Sequence, residues 1–483
     1  MTINLSIACG QLRRGALFAA LLALSGCMMG PDYVRPIAPA PAAFKEAEGW
    51  KLAQPQDVVP KGNWWEVFGD PILNELEAQV DISNQNIKAA EAQVRAAQAL
   101  TQAARSGLFP TVSGAGAATR SKAPGSRVVN TAGIGNNYNL AVDASWELDL
   151  WGRVRRSVES SEANAQATSA DLAAARLSAQ ALLAQDYWTL RVLDAEIALF
   201  KTTIAGYERS LQLTRNQYSA GIVGRNDVVQ AEAQLNSTRA QALDADVQRA
   251  QLEHAIAILI GKAPAEVSVA VVTQPWSFPV IPPGVPSELL ERRPDIAAAE
   301  RSVAAANAQI GVAEAAFYPT LSLSAAGGFQ SASFVHLLSL PNQYWSIGAA
   351  LAQTIFDGGL RKAQSAQAIA AWDATVAEYR QTVLGSFQEV EDNLVALRVL
   401  ADEATVQSDA TMSAEESLRL TQNQYKAGTV SYLNVVIVQA AALAAERNSL
   451  ELTGRRLLAS AGLLKALGGD WNAAQIPDPL ARK

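Results

Sequence analysis

Histidine and cysteine are nearly missing, with two of each in 483 residues. His254 and His336 stand far apart in the chain, one in a helix-like stretch and one in a loop-like stretch, so neither has partners for a His-based triad or a zinc site. Basic charge is also short: the net charge of −7 leaves no basic surface of the kind that binds nucleic acid, and nucleic acid is excluded as a partner. The glycine pairs in "GGFQS" and "ALGGDW" lack the spacing of a phosphate-binding loop. Arg292-Arg293-Pro294-Asp295 reads as a helix start, with Pro294 suited to the first turn, and Glu389 and Glu391 as a solvated helix face. These absences argue against an enzyme and against a cofactor. Long apolar runs are missing too: after residue 27 no stretch holds 18 consecutive apolar residues, so no helical span is expected in the mature chain. Aromatics are 6% although hydrophobic residues reach 49%, and alanine supplies much of the difference. That composition suits long helices packed at close range.

The two cysteines are told apart by position. Arg13 and Arg14 precede the apolar run "ALFAALLALSGC", which ends at Cys27 and is too short to span a bilayer. Residues 1–26 read as a lipoprotein signal peptide, since Leu24-Ser25-Gly26-Cys27 is similar to a bacterial lipobox, in which the cysteine becomes the acylated first residue. On this reading Cys9 is discarded, no disulfide can form, and the lipid on Cys27 is the one covalent group. Met28 is not the aspartate that retains lipoproteins in the inner membrane, which favours the outer membrane. Prolines 31, 36, 39 and 41 then suit an extended tether within residues 27–63. A single lipid anchors weakly, so further membrane contact has to come from strands.

What is abundant is repetition. "SLQLTRNQYSAGIV" at Ser210–Val223 returns as "SLRLTQNQYKAGTV" at Ser417–Val430, with ten of fourteen positions identical and an offset of 207. Leu190–Leu193 recurs at Leu397–Leu400, Leu108–Ser113 is echoed by Phe317–Ser322, and Ile87, Ala90 and Glu91 by Ile296, Ala299 and Glu300. Offsets this long mark a tandem duplication rather than a solenoid. The organisation expected is a first repeat over 64–262, an equatorial connection over 263–285, a second repeat over 286–468 and an equatorial tail over 469–483. Arg153–Ser219 and Leu360–Lys426 each contain no proline and a single glycine, which predicts helices of about 100 Å at 1.5 Å per residue. Second helices are expected over about 224–259 and 432–467, so each repeated motif is the bend of a helical hairpin, with Gly221 and Gly428 at the turn. Helices this long have to stand out from a compact body and pack lengthwise.

Two strands are expected between the helices of each half. In "YNLAVDASWEL", Tyr138, Leu140, Val142, Ala144, Trp146 and Leu148 share one face, and Asn139, Ala141, Asp143, Ser145 and Glu147 the other. Tyr344–Ile355 repeats the pattern with Trp345, Ile347, Leu351 and Ile355, and further strands begin near Pro110 and Pro319. A length of about 9–11 residues, an apolar face and aromatic ends fit transmembrane β-strands. Four strands cannot close a barrel, and an open edge cannot sit in lipid. Several copies therefore have to share one barrel, eight strands from two chains or twelve from three.

The lipobox with "GPDYVRP", "WWEVFGDPILNEL" at Trp64–Leu76, "PSELLERRPDIAAAE" at Pro286–Glu300, "NQYSAG", "NQYKAG" and the closing "ALGGDW" occur in one order along the whole mature chain. With them the chain resembles the TolC-type outer-membrane efflux factors, in particular the lipoprotein (NodT-like) branch that partners RND pumps. The resemblance implies an α+β, mainly α fold: tandem-duplicated long helical hairpins forming a periplasmic α-barrel, plus four transmembrane β-strands per chain completed as a twelve-stranded barrel in a homotrimer. It implies a passive, gated exit duct in the outer membrane, working with a periplasmic adaptor and an inner-membrane RND-type pump. The tip residues Ala220, Gly221, Ile222, Ala427, Gly428 and Thr429 would receive the adaptor. The periplasmic gate would use Asp227 and Tyr425 as a hydrogen-bonded pair, with Asn434 and Ile437 at positions that are often carboxylates in the family and Val430 where a basic residue stands. A polar or apolar constriction therefore replaces a carboxylate ring in the expectation. The competing reading is a periplasmic coiled-coil adaptor or structural lipoprotein without a pore. It would share the lipobox and the hairpins but need neither the alternating strands nor two complete copies of the plan.

Overall fold

A computed structural model of the chain describes residues 28–46, 63–122, 134–272, 276, 278, 279, 281 and 289–475. Cys27, expected to carry the lipid, lies outside the described residues, as do parts of the equatorial connection and of the tail.

The first half begins with a 3-10 turn at Trp64–Phe68 and helix α1 (Pro71–Ser83), whose N-terminal amides at Ile72 and Leu73 are accepted by the Asp70 carboxylate. Helix α2 (Gln85–Ser106) is capped in the same way by Asn84. Strands β1 (Thr111–Lys122) and β2 (Ile134–Leu148) follow, then α3 (Arg153–Ser219) and α4 (Arg225–Leu259). The second half contains α5 (Leu289–Arg292), α6 (Pro294–Ala315), β3 (Thr320–Ser331), β4 (Gln343–Ala352), α7 (Leu360–Lys426) and α8 (Tyr432–Ala466). Helices α2 and α6 both have 22 residues, α3 and α7 both 67, and α4 and α8 both 35, so the duplication survives at the level of whole elements.

The halves interlock rather than sit end to end: α3 packs against α2, α4, α6 and α8, and α7 against α6 and α8. The largest core lies midway along the long helices, where Trp64, Trp65 and Phe68 meet Tyr187 and Trp188 of α3, Val383 and Val390 of α7, and Leu457 and Leu463 of α8. Polar groups fix this layer. The Tyr187 hydroxyl donates to Asp70 Oδ2 at 2.6 Å, and Trp64 Nε1 to Gln180 Oε1 at 3.3 Å. In the two halves, different residues play the same part. Asn84 Nδ2 donates to the Leu259 carbonyl at 2.8 Å, and Arg293 Nη1 to the Ala466 carbonyl at 3.1 Å. Each ties the end of a short hairpin helix to the start of the helix that leads up to the sheet.

The proline-bearing N-terminal segment is extended, as its sequence predicts, but it is not a free tether. The Met29 amide donates to the Trp151 carbonyl at 3.1 Å, beside the end of β2. Arg156, almost wholly buried, donates to the carbonyls of Met29 and Gly30 and to Asp32. Gly30 passes so close to α6 that a Cβ on it would stand 2.4 Å from Gly311 Cα. Lower down, Tyr33 donates to Glu300, and the amides of Lys45 and Glu46 donate to the Glu391 carboxylate at 2.6 and 2.9 Å. Residues 28–46 are thus a strap laid along the body, starting level with the sheet.

The four strands form one antiparallel sheet in the order β1-β2-β3-β4. Its register sets Leu148, Leu321 and Leu351 side by side, then Trp146 with Leu323, Ala144 with Ala325 and Ile347, Val142 with Gly327 and Trp345, and Leu140 with Phe329. The opposite face carries Ser113, Asp143, Ala326 and Ser346 in one row and Thr111, Ser145, Ser324 and Gly348 in another. Strand β4 ends at Ala352, so Ile355 falls outside it, whereas the alternation alone had extended it that far. The chain there turns through Asp357-Gly358-Gly359, both glycines with positive φ, and the Asp357 carboxylate accepts the amides of Gly359 and Arg361.

Candidate functional site

Two regions carry the functional geometry: the paired bends of the long hairpins, and the sheet at the opposite end. At the first bend α3 ends in a Schellman motif, with the Gly221 amide donating to the Tyr218 carbonyl and the Ile222 amide to the Gln217 carbonyl. The second bend repeats it bond for bond, Gly428 to Tyr425 and Thr429 to Gln424. Both glycines sit in the left-handed region, φ +76° and +74°, where a Cβ would clash with its own backbone. Ala220, Gly221, Ile222, Ala427, Gly428 and Thr429 are all exposed at this end. Chemically, the bends present small residues and one large apolar group, Ile222, on two rigid and nearly equivalent turns.

Just above the bends the hairpins are fastened to each other. Tyr207, Leu211, Ala231 and Leu235 of the first pack with Tyr425, Tyr432 and Val435 of the second, the two tyrosine rings meeting edge to face at 5.3 Å. Three hydroxyls cross the seam. Tyr425 lies 3.3 Å from Thr214 Oγ1, Tyr432 lies 3.3 Å from Ser210 Oγ, and Tyr207 donates to the Gln439 carbonyl at 3.1 Å. The Thr214 hydroxyl spends its proton on the Ser210 carbonyl at 3.0 Å, so in its contact with Tyr425 the tyrosine is the donor. The bond expected between Asp227 and Tyr425 is therefore replaced by one between Tyr425 and Thr214. Asp227, half-buried in the first turn of α4, acts at longer range and its charge suits that helix N-terminus. Burial raises the Tyr425 hydroxyl above its ordinary value, the Thr214 bond works the other way, and the Asp227 charge adds to the rise. Burial likewise raises Tyr432, opposed by the Ser210 bond and reinforced by Tyr425 and Asp227. These phenols stay neutral.

Asn434 and Ile437 are exposed on α8, and with Leu433 they make a polar and apolar surface in a part of that helix, Tyr432–Ala445, that carries no carboxylate. Val430 is half-buried against the tyrosine cluster. The sequence missed Tyr207, Ser210, Thr214 and Tyr432 as a group, although their signal was available: positions 207, 210, 211 and 214 recur at the spacing of one helix face. His254 lies exposed on α4 and His336 in the β3–β4 connection, remote from each other in the fold.

At the sheet the surface is the reverse of an ordinary soluble hairpin. Trp345, Ile347 and Leu351 are 75%, 79% and 70% exposed, on the face that also carries Leu140 and Val142. Among the described residues, both sheet edges, the outer sides of β1 and β4, are unpaired. Aromatic side chains gather where the sheet meets the helices: Trp151 stacks on Tyr318 at 4.8 Å and donates to the Pro319 carbonyl, and Trp146 donates to the Leu108 carbonyl. No described helix is long and apolar enough to cross a membrane.

Comparison with known proteins bears on both regions. The family profile described as "Outer membrane efflux protein" matches residues 78–262 and 285–469. The chain is 30% identical over 452 residues to the toluene efflux pump outer membrane protein TtgC of Pseudomonas putida, covering 93% of each chain. It is 27% identical to the cation efflux system protein CusC of Escherichia coli, covering 94% of this chain and 98% of that one. Among solved structures, the outer-membrane channel OprN superposes with a TM-score of 0.86 at 30% identity, over 92% of this chain and 99% of OprN. The open state of the Neisseria gonorrhoeae MtrE outer membrane channel gives 0.82 at 28% identity, over 92% and 99%.

Proposed function

This chain belongs to the outer membrane efflux protein family, and we propose from that premise that it is the exit duct of a tripartite efflux system, working as a homotrimer. As a member it is an outer-membrane efflux channel, and the reading as a poreless adaptor is set aside. In the proposed assembly β1 of each protomer pairs with β4 of the next, giving twelve strands with the apolar face toward lipid and the polar face toward the lumen. The long helices continue the lumen through the periplasm. Acylated Cys27 sits at the membrane, and the strap from Met28 keeps that anchor level with the sheet.

Transport is passive, with neither a cofactor nor a catalytic step. Energy comes from an inner-membrane RND-type pump, coupled through a periplasmic adaptor that docks on Ala220–Ile222 and Ala427–Thr429. Three chains with two nearly equivalent bends each offer six sites. At rest the duct is closed at the bends, held by the Tyr425–Thr214 and Tyr432–Ser210 contacts with Asp227 nearby, and lined at its narrowest by Asn434 and Ile437. Named relatives serve toluene and cation efflux, which fits a duct that takes whatever its pump delivers.

The observation that carries this reading is the sheet: four strands, an apolar face that runs from Leu148 to Tyr138 along β2, and two edges open among the described residues, a surface that is stable in a membrane only after closure with other copies. Mass measurement of the detergent-solubilised protein, followed by single-channel recording in planar bilayers, tests it. Three chains per particle and a small, stable conductance are expected. A particle of one or two chains, or silence from protein shown to be inserted, would overturn it.

A further inference from the structure

The connection between β3 and β4 does not look like a water-facing loop. Phe334, Val335, Leu338 and Leu340 are 70%, 86%, 67% and 81% exposed within one short segment. Its polar backbone, by contrast, is turned inward on itself. The His336 carbonyl accepts from the Ser339 amide, from Ser339 Oγ at 2.7 Å and from Asn342 Nδ2 at 2.7 Å, while the Leu337 amide donates to the Phe334 carbonyl. A segment folded in this way presents its apolar side chains on a fixed frame of turns. Apolar patches of this kind on an ordered surface mark a covering partner.

Two observations identify the partner. The Phe334 ring packs edge to face on Tyr138, 5.6 Å between centroids, and Tyr138 belongs to the apolar face of the sheet with Leu140 and Val142. The connection is therefore continuous with the surface already turned to lipid. Charge points the same way: no Asp, Glu, Lys or Arg occurs from Ala315 to Phe356. The corresponding stretch of the first half carries Arg120, Lys122, Arg127, Asp143 and Glu147. The duplication thus supplied two hairpins, and only one of them has been cleared of ionised groups over its whole length, connection included.

We propose that the side chains of Phe334, Val335, Leu338 and Leu340 enter the acyl-chain region of the outer leaflet, with their backbone at its polar boundary, and extend the lipid-facing surface of the barrel beyond the ends of β3 and β4. The proposal rests on the reading that the sheet crosses the outer membrane. The two halves then differ at the extracellular end: the second hairpin holds the barrel in lipid at each of its recurrences around the ring, whereas β1 of the first ends in Arg120 and Lys122.

Nitroxide labels at Val335→Cys and Leu338→Cys in the reconstituted protein, with Ile347→Cys on the sheet face as reference, separate the two ideas. Collision with molecular oxygen, which concentrates in lipid, is compared with collision with a water-soluble nickel chelate. At positions 335 and 338 oxygen contact several-fold in excess of nickel contact, matching position 347, is the expected result. Nickel contact in excess there, with oxygen still dominant at 347, would overturn the proposal and leave the membrane reading intact; nickel contact at 347 would overturn both. Contact with neither reagent at 335 and 338, the signature of cover by a neighbouring protomer or another protein, would also overturn it. Hydroxyl-radical footprinting of the unsubstituted protein in vesicles serves if the labelled variants fail to assemble. Phe334 and Leu338 are expected to be protected relative to exposed Ile222, and equal modification would count against the lipid contact.

Discussion

The hydroxyl of Tyr425 reaches across from the second hairpin to Thr214 Oγ1 of the first at 3.3 Å, the lowest of three hydroxyl contacts that hold the hairpins together near their bends. If this contact is a latch, Tyr425→Phe and Thr214→Val remove the same bond. Each should then weaken closure by about 1 kcal/mol, and the double variant by no more than either alone. Asp227→Ala, acting through charge at a distance, should add to both. Open probability in planar bilayers reads the cycle, and strict additivity between Tyr425→Phe and Thr214→Val would show that the two side chains do not act as a unit.

Glu77 makes a separate prediction about pH. It is fully buried on α1, neither carboxyl oxygen has a hydrogen-bond partner among the described residues, and burial, reinforced by Asp81, raises it to about 9. An unfolded glutamate releases its proton near 4.3. Between those values the folded chain holds a proton that the unfolded chain has lost, so this group's contribution to stability falls steadily as pH rises and is flat above the upper value. Asp81 and Asp186 are also raised by burial, so the informative quantity is a difference. Glu77→Leu should gain several degrees of melting temperature over the parent at pH 8 and little at pH 5. A gain that does not grow with pH would remove the assignment.

At the bends, Gly221→Ala and Gly428→Ala each force a Cβ into left-handed backbone at a cost of about 1–2 kcal/mol. The Schellman bonds should loosen first. Hydrogen exchange at the Ile222 and Thr429 amides is expected to speed up about tenfold while the mid-helix amides of α3 and α7 stay unchanged. Unaltered exchange at both amides would mean that another contact holds the turns.

Arg156 offers a test of the strap. Arg156→Ala leaves the half-buried Met29 and Gly30 carbonyls without this donor, at about 1 kcal/mol for each bond lost. Limited proteolysis should then cut within residues 28–46 before it touches the helical body. Cleavage indistinguishable from the parent would show that Tyr33, Asn307 and Glu391 suffice to hold the segment.

Much of the architecture was legible because punctuation in this sequence is sparse and unambiguous. Within long stretches free of proline, the bounds of α3 and α7 fall between Gly152 and Gly221 and between Gly359 and Gly428, and β2 follows its alternation of apolar and polar residues. What could not be read were choices of partner across long separations. Arg191 and Arg398 stand at the same repeat position, yet Arg191 Nη1 donates to the Ala270 carbonyl at 2.6 Å in the connection between halves, while Arg398 Nη2 donates to Glu46 at 2.6 Å in the strap. Locally Arg191 also has Asp194 and Tyr187 beside it, where the second half has Ala401 and Leu394, but the distant segment that each arginine binds is the one that passes its level. The same holds for Tyr425, whose nearest acceptor is set by the helix face that packs opposite. Likewise the prolines announced an extended N-terminal segment, but not that α6 carries a glycine, Gly311, where that segment lies against it.

The unpaired sides of β1 and β4 also govern how the protein is made. A newly exported chain cannot enter the bilayer alone, because it would carry two rows of unsatisfied amides and carbonyls into hydrocarbon. Insertion and subunit recognition are then a single event. In the proposed assembly, a lipid on Cys27 and the strap that follows it would keep unassembled chains gathered at the membrane surface until enough neighbours are present. A chain with one spoiled edge would still be recruited through its intact edge and would disable the ring it joins. Its harm in a cell that also expresses the intact protein should therefore exceed its share of the population, which makes such alleles dominant.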